Sequence, residues 1–290
     1  MLLGIGTGRH LDSFDSVRYD VCSMTTHTPP TTSLIGLHAL VCGGSSGIGR
    51  AIALALAHQN ASVTVLARSE DKLLALLPEL EAAGAASVRA VIADLDDRPG
   101  LCDQVASLLA EAGPVHVLVN NAGGPPGGPI LEATESEFLA AFARHVLASH
   151  LLTQMLLPGM RAAGYGRILN IVSTSVKEPI PNLGVSNTTR GAIASWAKSV
   201  SRELPSGVTI NNLLPGFTDT ERLESLGKGQ AERRGVSLDE VKAGWLAQIP
   251  EGRLGRPEEL AAMAAFLASP AGAYVRGQSI AVDGGRLRGI

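Results

Sequence analysis

The stretch Leu40-Val41-Cys42-Gly43-Gly44-Ser45-Ser46-Gly47-Ile48-Gly49-Arg50 carries the spacing Gly-x-x-x-Gly-x-Gly between a short apolar run and one rich in alanine and leucine. Glycine at 43, 47 and 49 removes the Cβ atoms that would hold a pyrophosphate away from the backbone. The following run, 51–57, favours a helix, and its first turn would aim free N–H groups and a positive dipole end at that anion. Strand, tight turn and helix in this order predict a dinucleotide site, with Ser45, Ser46 and Ile48 in the turn as further contacts. A glycine-rich turn alone is weak evidence, so the rest of the chain must supply the elements that such a site needs.

It supplies them in alternation. Strand-like segments at 37–42, 62–68, 87–92 and 115–123 are separated by helical ones at 51–57, 71–83 and 101–112. A proline and glycine loop, 124–129, leads to a long helix at 135–160. A fifth strand at 166–173, a helix at 186–204 and a sixth strand at 208–214 follow. Residues 220–252 read as charged and irregular, with a helix at 238–248, and an excursion of this length is often a substrate lid. A helix at 257–268 and a last strand at 278–282 close the chain, and no internal repeat is visible. The alternation predicts an α/β fold, a doubly wound parallel sheet in a single domain. Ligands in such folds collect at the carboxyl ends of strands, and Asn121-Ala122-Gly123 is one such end.

The 290 residues, 45% hydrophobic and 18% charged, suffice for one large core and would be cramped as two domains. A net charge of -3 gives no electrostatic footprint for nucleic acid or an anionic membrane, so a small-molecule partner is expected. Cys22, Cys42 and Cys102 are odd in number and lack metal or C-x-x-C spacing. They predict free thiols in a reducing compartment and no metal site. No apolar run approaches the roughly 20 residues that span a bilayer, and the N-terminus lacks a basic n-region, which together predict a cytoplasmic protein. Residues 1–33 show no periodicity and end in a polar, proline-bearing linker, so a disordered extension is expected, with Met24 as a second candidate start.

Five motifs in order carry a family resemblance: Gly43-x-x-x-Gly47-x-Gly49, Asp94-Leu95, Asn120-Asn121-Ala122-Gly123, Pro215-Gly216 with Thr218 and Thr220, and Val282-Asp283-Gly284-Gly285. From residue 34 to the end the chain resembles the short-chain dehydrogenase/reductase family, and within it the β-ketoacyl-carrier-protein reductases. The resemblance implies a Rossmann-fold domain over 34–290 with a lid at about 220–252. It also implies a pyrophosphate on the glycine turn, with Asp94 and Leu95 at the adenine. Asn121, Ala122 and Gly123 would support the adenine side, and Pro215, Gly216, Thr218 and Thr220 would join the cofactor contacts. Asp94 reads equally well as a strand-end cap. NAD-dependent members usually carry an acid after the second strand, whereas Ala67 and Arg68 stand here. A guanidinium can pair bidentately with a 2′-phosphate, so NADP(H) is expected in preference to NAD(H), unless Arg68 is only a solvated loop residue.

The family's catalytic set is an asparagine on the long helix, a serine after the fifth strand, and Tyr-x-x-x-Lys on the next helix. Counting through the flanking matches puts His145, Ser173, Ser186 and Arg190 at these positions, so only the serine is retained. The four-residue spacing survives and keeps 186 and 190 on one helix face. An aliphatic hydroxyl is a much weaker acid than a phenol of pKa about 10, although Ser186 can still donate a hydrogen bond. Arg190 stays protonated; it can hold ribose hydroxyls or a substrate carboxylate but cannot shuttle a proton. His145, with an intrinsic pKa of about 6.5, and Lys177, on the loop bordering the substrate, are candidate proton donors. Each also reads as ordinary, a packed helix histidine and an exposed loop lysine. Ser173 could polarise the carbonyl as an oxyanion-type donor, and the remaining tyrosines, Tyr19, Tyr165 and Tyr274, fall off motif positions.

Two functions follow from the resemblance. One is an NADP(H)-dependent oxidoreductase interconverting a carbonyl and an alcohol with an atypical proton donor. The other is a catalytically inactive NADP(H)-binding protein acting as sensor, scaffold or partner subunit. Lyase or isomerase chemistry on a carboxylated substrate at Arg190 is a third option. The family also implies a homotetramer or dimer built through the two long helices and the last strand. Arg222, Arg233 and Arg234 in the lid would favour an anionic or acyl-carrier substrate, or else form a solvated face.

Overall fold

In the computed structural model, which describes residues 31–289, seven parallel strands form one sheet in the order β3-β2-β1-β4-β5-β6-β7. They are β1 (His38–Cys42), β2 (Ser62–Ala67), β3 (Ser87–Ile92), β4 (Val117–Asn120), β5 (Gly166–Ile171), β6 (Val208–Pro215) and β7 (Ser279–Val282). The order runs outward in both directions from β1, so the crossovers diverge between β1 and β4 and open a crevice at their carboxyl ends. The glycine turn follows β1 and Asn121-Ala122-Gly123 follows β4, so both motifs border that crevice.

Every residue of β1, β4 and β5 is buried, which is why these strands are mostly apolar rather than alternating, with His38, Asn120, Arg167 and Asn170 the polar side chains buried among them. Alternate side chains feed opposite layers. Ala39 and Val41 pack with Ile52 and Leu56 of α1 (Gly47–Ala57), Leu73 of α2 (Glu70–Ala82) and Leu260 of α9 (Pro257–Ala268). Leu40 and Cys42 pack with Leu101 of α3 (Arg98–Ala112), Leu152 of α5 (Ala148–Ala163) and Ala197 of α6 (Gly184–Glu203). Leu34 is fully buried in the first layer. Residues 1–30, including Tyr19, Cys22, Met24 and most of the expected extension, lie outside the described residues.

Two local expectations are corrected. The helix expected to run unbroken over 135–160 is α4 (Glu135–Phe142), a π turn (Ala143–Leu147) and α5. Ser149 Oγ donates to the His145 carbonyl at 2.8 Å, a side-chain bond of the kind that competes with the helical ladder. The segment expected to be irregular holds α7 (Glu221–Arg234) before α8 (Leu238–Leu246). Phe217 stacks on Trp245 with centroids 5.4 Å apart, and Ala231 and Val241 complete a small core of their own. A Cβ on Gly227 would lie 2.7 Å from the Trp245 ring, so glycine makes the slot for the indole and removes the apolar residue that would have marked a helical period. No helix among the described residues is long and apolar enough to cross a membrane, and none of their His, Cys, Asp and Glu groups could hold a metal.

Candidate cofactor cleft and active site

Gly43 and Gly47 adopt φ of +58° and +52°, the left-handed region, and let the chain fold back on itself between β1 and α1. A Cβ at Gly49 would meet the Gly43 carbonyl oxygen at 2.1 Å. Asn121 Nδ2 donates to the carbonyls of Cys42 (3.3 Å) and Gly43 (3.2 Å), clamping the turn to the end of β4. Ser46, at the N-cap of α1, makes no side-chain capping bond, and the first turn holds no acid. Its N–H groups therefore remain available to an anion. A Cβ-free cradle beneath an uncapped helix fits a dinucleotide pyrophosphate.

From this turn a cavity of about 670 Å³ runs past Ser45, Ala67 and Arg68 to Asp94, Leu95 and Gly123. Arg68 is three-quarters exposed, and its Nη1 lies 3.7 Å from Asp94 Oδ2. No acid closes the end of β2, and Lys72 and Arg144 join the same wall. A 2′-phosphate would meet Arg68 and Lys72 there, and the carboxylate of that wall, Asp94, lies beside Arg68 rather than at the end of β2.

A second cavity of about 320 Å³ shares Gly43, Ala122, Gly123 and Gly124 with the first, so the two form one cleft across the crevice. Its wall brings together Ser46, Gly47, Ile48 and Asn121 with Ser173, Ser186, Arg190, Pro215, Gly216, Thr218 and Thr220. Gly49 lines neither cavity and packs beneath the turn. Ser173 Oγ accepts from the Ser175 N–H at 3.0 Å, which leaves its own proton to give. Arg190 Nη1 donates to the Ile171 carbonyl (2.8 Å) and Nη2 to the Ala122 carbonyl (3.4 Å), bridging the ends of β5 and β4. Burial, and after it the neighbouring Arg222, lowers the Arg190 pKa to about 10, so the cation persists at neutral pH.

Two candidate donors are not brought to this wall. His145 is 3% exposed within the π turn and lines a separate small pocket with Asn120, Asn170 and Arg190. Burial, then Arg190 and Arg144, push its pKa down to about 2, so the imidazolium needed for general-acid work is suppressed near pH 7. Lys177 follows the short turn Thr174–Val176, is exposed, and borders neither cavity. The tyrosines offer no replacement among the described residues. Tyr165 Oη donates to the Ala268 carbonyl at 2.6 Å and Tyr274 is fully exposed.

Residues that the sequence reading left out also stand in the wall, among them Thr174 and Phe217. Behind them Arg286 is buried, donates Nη1 to Thr174 Oγ1 at 3.2 Å, and holds its guanidinium 4.9 Å from the Phe217 ring centroid. Phe217 could have been found from its place between Gly216 and Thr218. Arg286 carries no motif, since only the closing of the C-terminal segment on Thr174 places it.

The buried histidines have a consequence for stability. His145, lowered to about 2, and His38, lowered to about 4 by burial and Arg89, are neutral when folded and take up protons near the ordinary value of 6.5 when unfolded. The unfolded state then binds more protons, so stability falls as pH drops below about 6.5, by up to about 1.4 kcal/mol per pH unit per histidine. Urea denaturation at pH 6 and pH 5 should show this slope, and His145→Asn should remove the share that His145 contributes, up to about 1.4 kcal/mol per pH unit. An unchanged slope in that variant would contradict the burial argument.

Comparison with known proteins finds the following. The family profile described as Enoyl-(Acyl carrier protein) reductase matches residues 43–286. A putative ketoacyl reductase of Streptomyces coelicolor is 34% identical over 250 residues, 85% of this chain and 95% of that protein. The 3-oxoacyl-[acyl-carrier-protein] reductase FabG of Vibrio cholerae is 34% identical over 256 residues, 87% of this chain and 98% of its own. Among solved structures, L-sorbose reductase from Gluconobacter frateurii complexed with NADPH and L-sorbose superposes with a TM-score of 0.83 at 30% identity, covering 89% of this chain and 99% of that one.

Proposed function

The chain belongs to the short-chain dehydrogenase/reductase family and is an oxidoreductase of that type, and from this premise we propose that it interconverts a carbonyl and an alcohol with NADP(H). The observation that carries the proposal is the convergence of Ser173, Ser186 and Arg190 on the cavity that the glycine turn also lines. The choice of NADP(H) is supported by Arg68 and Lys72 at the end of β2 and by the NADPH named in the complex of the sorbose reductase.

When bound, the cofactor supplies or accepts the hydride. The protein's share is to bind, orient and stabilise charge. N–H groups of the first turn of α1 hold the pyrophosphate, and Arg68 pairs with the 2′-phosphate. Arg190, fixed by two strand-end carbonyls, orients the nicotinamide ribose through its remaining N–H groups. Ser173 Oγ donates to the carbonyl oxygen as negative charge develops on it, and Ser186 Oγ gives a second hydrogen bond. Without a phenol, charge stabilisation is the larger contribution of these side chains, and the proton reaches the oxygen from water through the serine hydroxyls. Helices α7 and α8 act as the substrate lid. Exposed Leu139, Phe142 and Leu147 on the helical run from α4 to α5 support self-association as a dimer or tetramer.

The test is a fluorescence titration with NADPH and NADH, followed on the same sample by a screen of β-keto esters, quinones and aldehydes read by cofactor absorbance. NADPH should bind roughly 10-fold tighter than NADH, and Arg68→Ala should erase most of that margin. Ser173→Ala should lower kcat by roughly 100-fold, while Lys177→Ala leaves it unchanged. The loss of the tyrosine and lysine specifically favours one competing function, a nucleotide-binding protein without turnover. Tight NADPH binding with no hydride transfer across the screen would establish that alternative.

A further inference from the structure

Arg190 and Arg222 approach one point of the cleft from different elements. Arg190 rises from α6, whereas Arg222, the second residue of α7, donates its Nη2 to the Pro125 carbonyl at 2.7 Å, across the opening. A Cβ on Gly124 would lie 3.5 Å from Arg222 Nη2 and 3.7 Å from Arg190 Nη2, so both guanidinium groups border a single glycine. Arg222 is exposed at the mouth of the cleft and Arg190 is half-buried, and burial, then Arg222, lowers the pKa of Arg190. Two cations held this close repel each other.

Proteins ordinarily pair such guanidinium groups with carboxylates. Among the described residues neither of these two has a carboxylate within 4.0 Å. Glu221 is the sole acid of the wall, and it faces Lys72 at 3.7 Å. Arg286 adds a third guanidinium behind Thr174 and Phe217. Arg222 commits one N–H to Pro125 and Arg190 commits two to strand-end carbonyls, so each fork keeps donors of the five it carries. A counter-charge is missing, and the donors that would receive it are in place.

We propose that the substrate of this cleft is an oxo-acid, or the corresponding hydroxy-acid, whose carboxylate is held by Arg222 with Arg190 while its carbonyl faces Ser173 and Ser186. The proposal rests on the carbonyl reduction proposed above and narrows its substrate class. The carboxylate changes no bonds during turnover; it fixes the distance between the anion site and the reacting carbon. The same two cations could instead serve the cofactor's pyrophosphate. Against that stands the placement of α7: Thr220 covers the glycine turn, its Cγ2 3.3 Å from a Cβ built on Gly47, whereas Arg222 reaches past it to Pro125.

The experiment uses the full chain saturated with NADP+, so that binding is read without turnover. Calorimetry compares a series of oxo-acids beginning with 4-oxopentanoate against their methyl esters. The acids should bind roughly 10- to 100-fold tighter than the esters. Arg222→Gln should erase that margin while the affinity for NADP+ is retained, and Arg222→Lys should restore part of it. Equal affinity for acids and esters, or no binding of either series at millimolar concentration, overturns the proposal. So does an Arg222→Gln variant that loses NADP+ affinity along with the acid preference, which would give the anion site to the pyrophosphate. Repeating the series with NADPH separates the two levels of inference. Acids that bind and are not reduced would sink the carbonyl reduction proposed above and leave the anion site standing, whereas esters reduced as well as acids would do the opposite.

Discussion

Gly49→Ala should weaken NADPH binding by at least roughly 100-fold and cost about 1–3 kcal/mol of stability, although alanine is the better helix former by about 1 kcal/mol. Space decides the sign. The added methyl would sit 2.1 Å from the Gly43 carbonyl oxygen and 2.7 Å from Asn121 Nδ2. Neither neighbour can yield cheaply. Gly43 occupies a left-handed turn at the end of a fully buried strand, and Asn121 holds two carbonyls of that turn. Relief therefore requires the turn to open, which moves the N–H groups of α1 away from the phosphate. The control is Gly244→Ala in α8, where nothing lies within 4 Å of the new methyl and a gain of about 0.5–1 kcal/mol is expected. NADPH titration and urea denaturation of both variants check the pair. Near-parental cofactor affinity in Gly49→Ala would mean that the turn is not the phosphate cradle.

The sheet was legible because parallel strands buried on both faces are largely apolar, as at 39–42 and 117–119, and because glycine and polar residues end them. Helix α7 was not legible by periodicity, since Gly227, on the buried face with Ala231, stands where an apolar residue would mark that face. Local signals for it did exist. Thr220 accepts from the Leu223 N–H, Glu221 and Glu224 occupy the first turn, and Gly235 ends the helix at φ +63°. At the site, counting from the motifs shared with the family brought Ser173, Ser186 and Arg190 together. It could not place Arg222, because the approach to Pro125 depends on how α7 folds back over the cleft. His145 shows the opposite limit. An intrinsic pKa near neutrality belongs to a solvated imidazole, and burial beside two arginines reverses the conclusion drawn from it.

The other large effect lies beneath the site. Asn120, Asn170, Asn212 and Ser279 occupy paired positions on β4, β5, β6 and β7. Their side chains form a buried line: Asn120 Nδ2 donates to Asn170 Oδ1 at 2.9 Å, Asn170 Nδ2 to Asn212 Oδ1 at 2.9 Å, and Asn212 Nδ2 to Ser279 Oγ at 3.0 Å. Asn170→Leu keeps a side chain of similar size but strands one donor and one acceptor in the interior. At about 1–3 kcal/mol for each group left unsatisfied, the expected loss is about 2–6 kcal/mol. Replacing Asn120, Asn170 and Asn212 together by leucine should cost less than three times that loss, because the partners disappear with one another. Urea denaturation of the single and triple variants measures both figures, and a loss below about 1 kcal/mol in the single variant would show that water already serves these groups. The damage should extend to the cleft. Arg190 hangs from the Ile171 carbonyl, one residue beyond Asn170, and from the Ala122 carbonyl, two residues beyond Asn120. Strand ends that drift apart would loosen the guanidinium to which the ribose and substrate-anion contacts proposed above are assigned, so NADPH affinity should fall in the Asn170 variant even under conditions where it remains folded.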